Sequence, residues 1–192
     1  MQLDAVVFDL DGTLVDTRRA NAQAHGASFE AFDLVDQLTG RVPRDAATQV
    51  YHRRLAELAS SLRPFEGVPE LLEHLPVPAA VVTGATREAA EIVLGATGLR
   101  GCFAVVVSAD DVRRPKPDPE GLRLACARLD VAPHRVAYVG DLTGDVAAAR
   151  ACGAVAVGAA WAVHAAVAGA DAVLRRPEEL LDLLAGRAHE KS

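Results

Sequence analysis

The chain has 192 residues, 51% hydrophobic and 24% charged, which allows one substantial buried core and excludes an intrinsically disordered chain. A formal charge of −6 offers no basic field, so nucleic acid and anionic membrane surfaces are disfavoured as partners, while local arginines can still attract a small anion. No stretch approaches the roughly 20 apolar residues of a membrane span, no basic-then-apolar leader opens the chain, and Cys102, Cys126 and Cys152 lack any disulfide or metal spacing, so reduced core thiols in a cytoplasmic protein are expected.

The first element is the apolar run Ala5 to Phe8, which reads as a buried parallel strand because it is short, continuous and bounded by a turn signal. It runs into Asp9-Leu10-Asp11-Gly12-Thr13. In extended chain, residues i and i+2 face the same side, so Asp9 and Asp11 share the space above the strand end. Two carboxylates persist together only if a cation neutralises one or a proton is shared, and a hard ion such as Mg²⁺ suits an oxygen-only site. An acidic turn has the same spelling, so this pair alone decides nothing.

From Thr17 to Leu62 the texture is helical, with one helix over Arg18 to Phe32 and another over Arg44 to Leu62, separated by Gly40 and Pro43. Residues 16–64 therefore read as a small helical insertion, and residues 1–15 and 65–192 as the main body. After Pro64 and Gly67 the pattern alternates. Helices are expected over Pro69 to Leu75, Arg87 to Ala96, Pro119 to Leu129, Val146 to Cys152, around His164 and over Pro177 to Leu184. Strands are expected over Ala79 to Val82, Ala104 to Val107, Val136 to Val139, Ala154 to Val157 and Ala172 to Leu174. Strands separated by helices imply an α/β fold with a parallel sheet covered on both faces.

Ligands of such sheets bind beyond the carboxyl ends of the strands. Those ends carry Asp9 and Asp11, Thr83-Gly84, a loop leading through Asp110 and Asp111 to Lys116, and Gly140-Asp141-Leu142-Thr143-Gly144-Asp145. Of 20 basic residues only Lys116 and Lys191 are lysines, so the retention of Lys116 points to a task for a compact point charge. Asp16 is read as a turn residue and Asp110 and Asp111 as solvated. Thr83 could also serve as a helix N-cap. Trp161 and the six histidines follow no ligand spacing and are read mostly as surface or packing residues.

The ordered set Asp9-x-Asp11-Gly12-Thr13, Thr83-Gly84, Lys116 and Gly140-Asp141-x-x-x-Asp145 resembles the four motifs of the haloacid dehalogenase-like phosphatases. The likeness is to the subfamily with an α-helical cap inserted after the first motif, and within it to phosphoglycolate phosphatase-like members. It implies a Rossmann-like parallel sheet between helices, with residues 16–64 as a shortened cap. It also implies Mg²⁺-dependent hydrolysis of a small phosphate monoester, with Asp9 as nucleophile and Asp11 as general acid. Thr83 and Gly84 would bind phosphoryl oxygens, and Lys116 would neutralise the nucleophile and the phosphoryl group. Mg²⁺ would be held by Asp9, the backbone carbonyl of Asp11 and Asp141, with Asp145 behind them orienting a water or helping to hold Lys116.

For the leaving group, the cap offers Arg41 and Arg44 at the start of its second helix, where arginine and helix N-terminus favour a carboxylate or second phosphate. Two departures weaken a β-phosphoglucomutase-like phosphotransferase: Asn21 stands where those mutases place histidine, and Gly140 where they tend to have a second acid. Dehalogenases lack an acid at the position of Asp11. The short insertion and Leu75-Pro76-Val77-Pro78 depart from phosphoglycolate phosphatases and suggest a more open site for a larger, biosynthetic phosphate. A receiver-like regulatory phosphoacceptor would place its acceptor aspartate where this chain has Thr83.

Overall fold

The computed structural model describes residues 2–31, 44–162 and 164–186, with the Arg44 side chain outside the described part. Six strands, β1 (Ala5–Phe8), β2 (Ala79–Val82), β3 (Val105–Val107), β4 (Val136–Gly140), β5 (Val155–Ala159) and β6 (Ala172–Leu174), form one sheet in the order β3-β2-β1-β4-β5-β6. Every pairing is parallel. Alternate residues of the strands feed two cores: Val6, Phe8, Val81 and Val139 on one face, Val7, Ala80, Val82 and Tyr138 on the other. Burial on both sides explains why the strands read as continuous apolar runs.

Helices α1 (Arg18–Ala31) and α2 (Arg44–Leu58) follow β1 and pack on each other. They are followed by α3 (Val68–Glu73), α4 (Arg87–Ala96), α5 (Glu120–Leu129), α6 (Thr143–Cys152) and α7 (Glu179–Leu184). None of the described helices is long and apolar enough to cross a membrane. The chain steps from β1 to β2 on one side and later to β4 on the other, so β1 sits at the switch point of the sheet. Phe8 is level with both Val81 and Val139, which brings Asp9, Thr83 and Asp141 out at one edge.

Several expectations are corrected. The second inserted helix stops at Leu58; a single 3₁₀ turn over Ala59–Ser61 follows, and Leu62 is extended. Helix α6 starts at Thr143, three residues before the sequence suggests, because the Asp145 carboxylate accepts the Leu142 N–H at 3.0 Å and caps it. Around His164 the described residues form turns, not a helix. There Ala166 N–H donates to the Asp141 carbonyl at 2.7 Å, and Val167 packs where a Cβ on Gly158 would lie only 2.6 Å away. Tethering to two strand ends outweighs the alanine-rich composition.

Cys102 is exposed and not part of the core, whereas Cys126 is buried. Asp110 and Asp111 are not simply solvated. Asp110 accepts the Arg87 N–H at 2.7 Å, and Asp111 accepts both the N–H and hydroxyl of Ser108 at 2.8 Å and pairs with Arg87 and Arg128. Burial opposes the Asp111 charge, but the Ser108 donors and the two guanidiniums hold its carboxyl at about 2.

Candidate active site

Asp9 prolongs β1 by donating its N–H to the Val139 carbonyl at 2.8 Å, which fixes a buried carboxylate at the centre of the sheet edge. Lys116, from the loop between β3 and α5, donates from Nζ to Asp9 Oδ1 at 2.5 Å and to Asp145 Oδ1 at 2.7 Å. Asp145 Oδ1 also accepts the Tyr138 hydroxyl at 3.2 Å, while its Oδ2 holds the Leu142 N–H. Both oxygens of Asp145 are therefore engaged by protein donors. A Cβ on Gly140 would lie 2.3 Å from the Asp145 side chain, so a second acid at that position would push Asp145 off the lysine.

Asp141 approaches from the loop after β4, and its Oδ1 accepts the Thr13 hydroxyl at 3.3 Å. The first loop makes room for it at Gly12, which has a positive φ of 88° and where a Cβ would stand 2.5 Å from Asp141 Oδ2. Trp161 anchors the same loop from outside, its indole N–H donating to the Thr13 carbonyl at 2.9 Å. The packing role expected for Trp161 thus includes a polar contact with the first motif.

Oxygens of Asp9, Asp141 and Asp145 all lie within 4.8 Å of one another. Three carboxylates face one ammonium here. Asp9 is raised to about 7, chiefly by burial; Lys116 opposes the rise, and the charges of Asp145 and Asp11 add to it. Burial, then Asp145, raises Asp141. For Lys116, burial works against the charge, but Asp9, Tyr138 and Asp145 outweigh it and hold the ammonium well above its ordinary range. Uncompensated negative charge among oxygen donors fits a hard divalent cation. Asp9 and Asp141 suit it as ligands, since Asp145 is already occupied.

Asp11 faces the inserted helices. Its Oδ1 accepts the Thr17 hydroxyl at 2.6 Å and the Asn21 amide at 3.2 Å, and its Oδ2 accepts the Thr83 hydroxyl at 3.3 Å. Tyr51 on α2 donates its hydroxyl to Asn21 Oδ1 at 2.9 Å, which turns the Asn21 N–H₂ toward Asp11. Thr83 is not the N-cap of α4; that role falls to Thr86, which accepts the Ala89 N–H at 3.2 Å. Beyond Thr83 the backbone of Gly84 borders open space, with no atom within 4 Å of where its Cβ would point.

His52 is also more than a packing residue. It is buried, with Nε2 2.7 Å from the Thr86 hydroxyl and Nδ1 2.9 Å from Glu88, joining α2 to the start of α4. The other predicted cap residues cannot be placed: Arg41 lies outside the described residues, and Arg44 opens α2 with its side chain outside them. Sequence reasoning missed Thr17, Tyr51 and Tyr138, and noted Asn21 only as a departure. A polar residue at the join between the first motif and a helix is the one signal that could have marked Thr17.

A family profile described as haloacid dehalogenase-like hydrolase matches residues 25–153. The N-acetylmuramic acid 6-phosphate phosphatase of Pseudomonas aeruginosa is 32% identical, over 96% of this chain and 96% of that protein. The validoxylamine A 7'-phosphate phosphatase of Streptomyces hygroscopicus subsp. limoneus is 30% identical over 88% and 92%. The solved structure of CbbY from Rhodobacter sphaeroides in complex with phosphate shares the fold at a TM-score of 0.79, with 24% identity over 93% of this chain and 96% of that one.

Proposed function

The chain belongs to the haloacid dehalogenase-like hydrolases, and from that premise we propose that it is a Mg²⁺-dependent cytoplasmic phosphatase acting through an aspartyl-phosphate on Asp9. Its substrate class is a small-molecule monoester, phosphoglycolate or a sugar or biosynthetic phosphate. The observation that carries this reading is the convergence of Asp9, Asp141 and Asp145 around the Lys116 ammonium, with Asp11 beside Thr83 on the open side.

Asp9 attacks phosphorus while the bond to the ester oxygen breaks. Lys116, held by Asp145 and Asp9, counters the charge of nucleophile and phosphoryl group, and Thr83 and Gly84 donate to phosphoryl oxygens. Asp11 Oδ1 is filled by Thr17 and Asn21, so Oδ2 is left to carry the proton once the Thr83 hydroxyl turns to the phosphoryl group. That proton goes to the departing alkoxide. In the second step Asp11 takes a proton from water as the water attacks phosphorus, and Asp9 is released as carboxylate. Asp9, the Asp11 carbonyl and Asp141 would hold Mg²⁺, which supplies Lewis-acid charge neutralisation. The inserted residues 16–64 serve as a cap over the leaving group, with Arg41 and Arg44 as its proposed polar contacts.

Steady-state phosphate release from a panel of glycolate, sugar, nucleotide and amino-sugar phosphates tests the reading. Release should stop on adding EDTA and return with Mg²⁺, and Asp9→Asn should lower kcat by about 10⁴-fold or more. Undiminished turnover in Asp9→Asn would refute the nucleophile.

A further inference from the structure

Tyr138 lies in the middle of β4, 1% exposed, in the core that α5 and α6 cover. Phenylalanine would fill that space as well, and a hydroxyl costs free energy to bury, so the oxygen needs a reason to be there. Register places Tyr138 level with Val7 of β1, and Val7 level with Ala80 of β2. The ring therefore crosses β1, and its hydroxyl meets the Val82 carbonyl on the far side at 3.2 Å. At the same distance it meets Asp145 Oδ1, the oxygen that also accepts Lys116 Nζ at 2.7 Å. Burial, opposed by Lys116 and helped by Asp145 and Asp9, raises the hydroxyl well above the ordinary phenol range, so it stays a donor at any working pH.

Asp9 and Asp145 draw the Lys116 ammonium from two sides. An ammonium has three protons, which leaves one for a phosphoryl oxygen. Where that proton points depends on where Asp145 Oδ1 is held. The Leu142 N–H holds the other carboxylate oxygen from the start of α6, and the Tyr138 hydroxyl adds a hold from inside the sheet. Because the same hydroxyl rests on the carbonyl of Val82, the residue before Thr83, one hydrogen-bonded link joins the anchor of the lysine to the strand end that presents Thr83. A donor on Oδ1 also withdraws part of the carboxylate charge, so Asp145 neutralises less of the ammonium.

We infer that Tyr138 is a positioning residue, whose hydroxyl sets Lys116 relative to Thr83 through Asp145 and the Val82 carbonyl. This rests on the phosphatase reading above and deepens it. The opposing outcome is a tyrosine that only fills the core.

The chain's two lysines, Lys116 and Lys191, make the placement directly readable. Labelling lysine Nζ with ¹⁵N gives two ammonium signals, which Lys191→Arg assigns. In the metal-free protein Tyr138→Phe should shift the Lys116 signal and speed exchange of its protons with water by about fivefold. With p-nitrophenyl phosphate as probe, the same change should lower kcat by about tenfold and leave KM within about twofold. In an Asp145→Asn background, where a neutral amide no longer grips the ammonium, adding Tyr138→Phe should cost less than about twofold in kcat. Thermal melts exclude misfolding as the cause. An unmoved Lys116 signal, an unchanged kcat, an equal loss in both backgrounds, or a Tyr138→Phe protein that does not fold overturns the inference while leaving a phosphatase. No phosphate from any ester with the parent protein refutes the phosphatase reading instead, and the Lys116 signal then still decides the placement.

Discussion

The two sides of the site are built on different principles. On the sheet side, Asp9, Asp141 and Asp145 are buried and fixed by strand register, by one lysine and by backbone N–H groups. On the helical side, Asn21 reaches Asp11 directly and Tyr51 through Asn21, from two helices that pack mainly on each other, and His25 and Phe29 stand exposed. Charges that must be ready before substrate arrives need the rigid side, because preorganised groups stabilise a transition state without rearranging. Groups that recognise a variable leaving group can sit on elements outside the sheet. Damage on the sheet side should therefore abolish chemistry, and damage on the helical side should only tune it.

The most severe way to break that contrast is Lys116→Ala. It leaves Asp9 and Asp145 facing each other in a buried site without their shared counter-charge. Turnover should fall by about 10³-fold, and the metal-free protein should lose on the order of 3 kcal/mol, as expected when one member of a buried ion pair is removed. Lys116→Arg restores charge but brings a planar fork to a place where a single nitrogen touches two carboxylates, so it should recover less than roughly a tenth of the rate. Kinetics and urea melts on both variants check this. Full rescue by arginine would mean that only net charge matters there.

A smaller effect follows from Asp9. Its carboxyl is raised from an ordinary 3.8 to about 7, chiefly by burial, so between those values the native metal-free protein holds a proton that the unfolded chain has lost. Metal-free stability should accordingly decline as pH rises through that window. A metal ion needs the carboxylate, so below pH 7 it must displace the proton, and its apparent affinity should fall by about tenfold per pH unit there and level off above. The rise in melting temperature on adding Mg²⁺ should thus be larger at pH 8 than at pH 6. An equal rise at both would place the metal away from Asp9.

The same contrast explains what could be read from the chain. That Asp9, Asp11, Thr83, Asp141 and Asp145 meet at one edge was legible because each lies at or soon after a strand end and parallel topology brings strand ends together, while Lys116 comes from farther along the loop after β3. Most strands were legible from their apolar runs. The Tyr51–Asn21–Asp11 chain was not, because it depends on how α1 packs on α2, which no spacing encodes. Tyr138 was hidden for another reason: it reads as a core aromatic, and its hydroxyl finds Asp145 only because α6 starts early. The helix expected around His164 failed because alanine content reports local propensity, while that segment is held by the Asp141 carbonyl and by Gly158.

The mildest change, Tyr51→Phe, tests the helical side most sharply. Burial, with the charge of Asp11, pushes the Tyr51 hydroxyl up to about 12, so it stays a donor across any ordinary assay pH. By donating to Asn21 Oδ1 it decides which end of the amide meets Asp11. Without it the amide can flip and set its oxygen against Asp11 Oδ1, which then loses the Asn21 donor and keeps only the Thr17 hydroxyl. The ring is retained, so packing against His25 is preserved, and the loss should appear in kcat, at about threefold to fivefold, with the stability change near 1 kcal/mol or below. Because the disturbed group is the proposed proton donor, the kcat loss should be larger for an alkyl phosphate than for p-nitrophenyl phosphate, whose leaving group departs without a proton. A loss as deep as that of Lys116→Ala would show that the helical side carries the chemistry too; an unchanged kcat with raised KM would make Tyr51 a binding contact alone.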